Sequence, residues 1–332
     1  MAGRKPRIAV LLGDPAGIGP ELVARLLAEP GVRDAADLLL IADRGELDEG
    51  MRIAGLRTPY TMAGSPPQPG VPVLLDFRGE TRGPFVRAQA SEQGGRYCLD
   101  TLSRALAAHR DGEVDAILFA PLNKSSLHEA GMGTADELHW LVRQLGFTGP
   151  ATEFNVLDGL WTSRVTSHIA LKEVASNITF DAVTQGIELI QAELQRSGLE
   201  RPRIAVCGLN PHNGDNGSFG REEIEVISPA VKAAQARGLA VDGPFPADTI
   251  FLKVLGEQRQ YDAVVTMYHD QGQIAMKLMG FSRGITVQGG LPVPILTPAH
   301  GTAFDLAGQG VANPGATLAA FRLACRMAIA RQ

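Results

Sequence analysis

The chain has 332 residues and carries 31 Lys and Arg against 36 Asp and Glu, a formal charge of −5. That length suits about two domains of roughly 100–200 residues each, and the mild acidity argues against a nucleic-acid binder, which needs a basic face to displace counterions. No apolar run reaches the roughly 18–20 residues of a bilayer span, and three scattered cysteines (Cys98, Cys207, Cys325) make neither a disulfide framework nor a zinc knuckle, so a reducing cytoplasm is expected.

Read in chain order, short apolar runs alternate with helical periods. The first run, 8–12, follows a basic start and ends in Gly-Asp-Pro, the pattern of a first strand rather than of a leader peptide. Further buried strands are expected at 38–42, 73–75, 116–119, 164–167, 204–207, 263–267 and 285–288. Near-continuous apolar strands suit a sheet covered on both faces. Leu99, Leu102 and Leu106 mark one helix. Thr179 can cap another, with Val183, Ile187, Ile190 and Leu194 on one face. A third helix is expected over 222–237. The Pro/Gly stretch 63–70 reads as a surface loop. The alternation implies an α/β fold with a largely parallel sheet.

Glycine and proline gather just after the expected strands, at 13–20, 208–217, 243–246 and 289–294. Ligands of α/β folds bind beyond the carboxyl ends of strands, and glycine there admits close backbone approach. The first cluster is not a dinucleotide fingerprint, because its glycines fall at 13, 17 and 19 with Pro15 inside the turn. A helix starting near Pro20 still leaves anion binding open.

Histidine is scarce, at seven residues. His168, His212 and His269 each follow an expected strand, where loops converge. Three imidazoles with an open position suit a catalytic divalent metal, although independent loop histidines would give the same spacing. His300 lies in a run of small residues ahead of an expected helix start, and a second start follows Ala312-Asn-Pro-Gly315. Such starts can cradle a nucleotide. His109, His128 and His139 lack such a setting and read as structural. Lys124 sits at a strand end. Lys277 lies on an expected helix over 271–279, and Asp248 reads equally well as a helix cap.

The segments GDPAGIGPE, GLNPHNGDNG, GPFPADT, MYHDQG and HGTAFDLAG, in this order between Gly13 and about Leu318, resemble the 4-hydroxythreonine-4-phosphate dehydrogenase family of vitamin B6 biosynthesis. The tail from His300 is similar to the cofactor loop of isopropylmalate and isocitrate dehydrogenases. The resemblance implies two α/β domains, 1–130 plus 286–332 on the cofactor side and 131–285 with the metal ligands and dimer contacts, and an active-site cleft between them. It implies NAD or NADP, held by Gly13, His300, Gly301, Thr302, Ala303, Asp305 and Asn313. It also implies one divalent metal (Zn, Mg, Mn or Co) on His168, His212 and His269, with His269 matching the ligand that comes from the neighbouring subunit of a homodimer. Lys124 and Lys277 fall among its substrate residues.

The family pattern breaks in two places. A Gly-His-Thr-Glu segment is replaced by 131–137, where Ala135 and Asp136 stand nearest the His-Thr pair. A substrate arginine reads Ile295, and a substrate asparagine reads Thr286. Loss of a guanidinium removes a bidentate anion clamp, and Asp136 would repel a phosphate. The terephthalate dihydrodiol dehydrogenases of the same family also lack that arginine, so a non-phosphorylated substrate enters the comparison.

The expected reaction is oxidation of a secondary alcohol of a small hydroxy acid. The metal would acidify the hydroxyl, Lys277, Asp248 or a water between them would take its proton, and a carboxylate β to the new ketone would be lost. Two other readings stay open: a metal-dependent lyase or hydrolase without redox chemistry, and a nucleotide-binding regulator. No nucleic-acid or membrane partner is expected.

Overall fold

The computed structural model describes residues 4–256 and 259–330. In chain order the strands are β1 (Arg7–Leu11), β2 (Asp37–Ala42), β3 (Thr61–Met62), β4 (Val73–Asp76), β5 (Ala116–Phe119), β6 (Thr152–Leu157), β7 (Leu160–Arg164), β8 (Ile204–Cys207), β9 (Val241–Phe245), β10 (Ala263–Thr266), β11 (Ile285–Gly289) and β12 (Ile295–Pro298). The chain divides into two compact units. One comprises Met1–Gly149 with Ile285–Gln332, the other Pro150–Gly284.

In the first unit the strand order is β3-β4-β2-β1-β5-β12-β11. Neighbours are parallel except β11 against β12. Ile8, Leu11, Leu40 and Phe119 are fully buried, as strands covered on both faces require. The helix Gly19–Ala28 opens with Pro20, whose fixed φ suits a first turn. Its Leu22, Val23, Leu26 and Leu27 are buried, the spacing of a single apolar face. Residues 131–149, expected in the other domain, belong here. Met132 N–H donates to Leu127 O at 3.0 Å, and the Arg143 guanidinium donates back to Met132 O at 2.5 Å. This local bonding holds the stretch to the helix Lys124–Glu129.

In the second unit the order is β6-β7-β10-β8-β9. The pairs β7/β10, β10/β8 and β8/β9 are parallel, and β6/β7 form an antiparallel hairpin. Asp158 and Gly159 turn it with φ of 49° and 81°, the positive values that a tight two-residue hairpin turn needs. The helix Phe180–Arg196 buries Val183, Ile187, Ile190 and Leu194, and the Thr179 hydroxyl accepts from Ala182 N–H at 3.2 Å. Thr179→Ala should therefore cost about 1 kcal/mol. A shift of the urea midpoint at unchanged slope would report it, and an unmoved midpoint would deny the cap.

Four strands, β3, β6, β9 and β12, were not expected, and the strand expected at 164–167 lies earlier, at β7. The reasons are local. β6 carries Glu153 and Asn155 among its apolar residues. β9 holds Gly243 and Pro244, which an end strand of its unit tolerates. β7 buries Thr162 and Ser163 at 4% and 2% exposure, hiding an apolar environment behind hydroxyls. The helix expected over 222–237 is present over 222–236, but it opens in a wide π-helical turn, Glu223–Ile227, before the α-helix Ser228–Ala236. No helix among the described residues is long and apolar enough to cross a membrane.

Candidate active site

The second unit gathers the strand-end histidines. Eight described non-glycine residues have positive φ, and five of these are His168, His212, Asn213, Asp215 and Asn216. Left-handed backbone at such residues is uncommon and clusters where surrounding structure enforces it. His168 has φ 55° and follows β7, whose last residue is Arg164. Its buried guanidinium donates to Ser167 Oγ at 2.8 Å, Asn155 Oδ1 at 3.1 Å and Glu153 Oε2 at 3.1 Å. The His168 ring lies 6.0 Å from the His269 ring, centroid to centroid, at 37°.

His269 opens the helix His269–Gly280 that follows β10. Its Nδ1 lies 2.7 Å from Asp270 Oδ1, which leaves Nε2 to face a ligand. A carboxylate on the far nitrogen is the usual support for a metal-binding histidine, because it fixes the tautomer and raises ligand basicity. Gln271 ties two histidine loops together. Its Oε1 accepts from Met267 N–H at 2.7 Å, and its Nε2 donates to Gly208 O at 2.8 Å. A cavity of about 620 Å³ opens beside them, lined by His212, Asp248, Tyr268, Asp270 and Gln271 among others. His168 and His269 thus meet as a pair, and His212 shares a cavity with Asp248 and Asp270. Among the described residues no three His, Cys, Asp or Glu side chains of one chain form a metal-holding group. Lys277 stands exposed two turns along the helix from His269. Asp248 is likewise exposed, at the second position of the short helix Ala247–Ile250, whose cap is Pro246 rather than Asp248.

The first unit assembles the other set. Gly13 has φ 66°, and a Cβ there would lie 2.2 Å from Ala120 O, so the loop after β1 rests directly on the segment leading to Lys124. Lys124 begins a helix capped by Asn123, whose Oδ1 accepts from Ser126 N–H at 3.0 Å. A Cβ on Gly17 would strike Thr302 at 2.7 Å, and Ile18 N–H donates to Thr302 O at 3.0 Å. The loops 13–19 and 300–305 are therefore in backbone contact. Ala303 is left-handed at φ 43°, and Asp305 lies in the turn Phe304–Leu306. The His300 ring reaches Gly301 O at 3.1 Å. Asn313 Oδ1 accepts from Gly315 N–H at 2.8 Å at the head of the helix Gly315–Ile329. Arg87 pins the first loop from the side, bonding Pro15 O and Glu46 at 2.6 Å. Burial lifts the Asp14 carboxyl above its ordinary range, against the opposing pull of Ala16 N–H, the Ser126 hydroxyl and Arg87.

Two of the expected substrate residues are buried. The Asp136 carboxylate is engaged within the fold. It is 4% exposed, caps the helix Glu137–Leu145, and accepts from His139 N–H at 2.9 Å and the His139 ring at 2.6 Å. Ile295 is fully buried in β12. Ala135 is exposed, and Thr286 is half-buried in β11. His109 ends its helix with Nδ1 3.0 Å from Val114 O. Sequence reasoning passed over Arg164, Asp270, Gln271 and Glu223. Asp270 and Gln271 were within reach, as neighbours of His269 in MYHDQG.

A family model described as pyridoxal phosphate biosynthetic protein PdxA matches residues 35–324. A Pseudomonas aeruginosa protein with the provisional name 4-hydroxythreonine-4-phosphate dehydrogenase 2 is 62% identical over 97% of each chain. A D-threonate 4-phosphate dehydrogenase of Cupriavidus necator is 38% identical over the full length of both. Among solved structures, a 4-hydroxythreonine-4-phosphate dehydrogenase from Klebsiella pneumoniae superposes with a TM-score of 0.83 at 34% identity, covering 99% of each chain. A terephthalate 1,2-cis-dihydrodiol dehydrogenase from Burkholderia xenovorans LB400 gives 0.69 at 26%, covering 97% of this chain and 98% of that one.

Proposed function

The chain belongs to the family of the pyridoxal phosphate biosynthetic protein PdxA and is a dehydrogenase, and from that premise we propose that it oxidises a secondary alcohol of a phosphorylated hydroxy acid, with NAD or NADP and a divalent metal (Zn, Mg, Mn or Co). The observation that supports the metal is the His269–Asp270 contact, a carboxylate behind an imidazole donor. His168, His212 and His269 would hold the ion, with the set completed across a homodimer as in the family. The dinucleotide would lie on the contacting loops of Gly13 and His300–Asp305, with Asn313 at the head of its helix. When bound, the metal would polarise the substrate hydroxyl as a Lewis acid and the nicotinamide would accept the hydride.

The chain's own residues handle the proton. Lys277, or Asp248 through a water, takes it from the hydroxyl as the carbinol carbon loses hydride. The Lys124 ammonium supplies positive charge for the acid or its phosphate. A carboxylate β to the new carbonyl then leaves as carbon dioxide. Cys98, Cys207 and Cys325 are free thiols, which suits a reducing cytoplasm as the working compartment.

The relatives favour a phosphorylated substrate: 4-hydroxythreonine 4-phosphate and D-threonate 4-phosphate appear in their names. Ile295 in place of an arginine favours a second reading, a non-phosphorylated cis-diol carboxylate. Turnover of D-threonate 4-phosphate beside D-threonate separates them. The proposal expects the phosphorylated acid to have the larger kcat/KM. A preference for the free acid would install the second reading, and product without cofactor reduction would point to a lyase.

A further inference from the structure

We propose that Glu223 is the positioning residue that holds His212 in its metal-binding conformation. The inference rests on the reading of His212 as a metal ligand. After β8 the backbone has positive φ for six residues in succession: His212 at 54°, Asn213 at 57°, Gly214 at 74°, Asp215 at 41°, Asn216 at 55° and Gly217 at 94°. L-residues disfavour that conformation because Cβ crowds the following carbonyl. Glycine is at ease with it, yet only two of the six are glycine. Something outside the run must impose the shape.

Glu223 occupies the place from which it can be imposed. It is 3% exposed and sits at the start of the wide turn Glu223–Ile227, a geometry found often at functional sites. Its Oε1 accepts from both Leu209 N–H and Asn210 N–H at 2.7 Å, and its Oε2 accepts from Asn210 Nδ2 at 3.0 Å. Glu222 Oε2 accepts from the same amide nitrogen at 2.7 Å. The carboxylate thus gathers the donors just before the left-handed run. It also fills space that two glycines leave open. A Cβ on Gly208 would lie 3.0 Å from Glu223 Oε1, and one on Gly214 would lie 2.8 Å from Oε2. Asn213 Nδ2 secures the far side through Pro244 O at 2.8 Å. Held at both flanks, the run carries His212 at the rim of the 620 Å³ cavity. A carboxylate does this better than a neutral amide, because it accepts at every oxygen lone pair and its charge strengthens each bond. Glutamine at 223 would turn its own NH₂ toward one of these donors.

The test is titration of the metal-free, full-length protein with Co²⁺, whose visible spectrum reports imidazole coordination. Glu223→Gln should bind Co²⁺ about 10–100-fold more weakly, the range for loss of a partner outside the ligand set. Its apo melting temperature and its NAD(P) affinity should stay near those of the parent. Asp215→Gly, which removes one side chain from the strained run, should restore part of the affinity when added to Glu223→Gln. If Glu223→Gln does not fold, Asn210→Ala should show a smaller loss of the same sign. Parental Co²⁺ affinity in the foldable variant would overturn the inference, as would a lowered melting temperature with unchanged affinity. His212→Ala is measured alongside. If it too binds Co²⁺ like the parent, the metal reading itself is wrong. If it alone loses Co²⁺, only the role of Glu223 is.

Discussion

His212→Ala should leave a folded protein with no measurable turnover and with metal affinity reduced by more than the roughly 100-fold that loss of an outer partner costs. Its imidazole stands at the rim of a cavity shared with Asp248 and Asp270, on backbone that the surrounding loop holds left-handed. An alanine there keeps the loop bonds of Asn210 and Asn213, so the loss would fall on the ligand and not on the fold. The nucleotide site proposed above lies on loops of the other unit, so nucleotide binding should be unchanged. That combination distinguishes an enzyme from a nucleotide-binding regulator, in which His212 would have no metal to lose. Calorimetric titration with Mn²⁺ and with NAD⁺ on the same preparation reads both quantities. Turnover close to the parent's would remove His212 from the site.

Lys277→Met should lower kcat by about 10²–10⁴, the contribution of a positioned proton acceptor, with a smaller change in metal affinity. Methionine keeps the length and apolar stem of the side chain and removes only the ammonium. If only KM rises while kcat stays, Lys277 binds the acid by charge and the proton goes elsewhere, with Asp248 the next residue to change.

The parts of the molecule legible in the sequence were those written in apolar periodicity and cap chemistry. The helix Phe180–Arg196 shows both, since Thr179 and the four buried residues Val183, Ile187, Ile190 and Leu194 each follow from spacing alone. β5 and β8, four buried apolar residues each, are equally plain. What stayed hidden was polar residue type in an apolar place, such as the hydroxyls of β7 and the Gly-Pro of β9. In the candidate site the strand-end positions of His168, His212 and His269 were readable, because each follows an apolar run that reads as a strand. The left-handed backbone under His168 and His212 was not, since φ at a histidine leaves no mark on its neighbours. Asp136 shows what a charge alone does not tell: its carboxylate caps a helix and bonds His139, a commitment that the sequence does not reveal. Glu223 lies thirteen or more residues from the backbone it holds, and only the folded chain brings them together.

The most direct measurement is the formation of reduced nicotinamide from D-threonate 4-phosphate and from 4-hydroxythreonine 4-phosphate by the full-length protein. It is made after chelator treatment and again after adding Mn²⁺ or Zn²⁺. The account predicts reduced cofactor with at least one of the two acids, its loss on chelation, and its return with the metal. Cofactor reduction that continues unchanged without metal would contradict it, and so would the absence of any reduction with the metal restored.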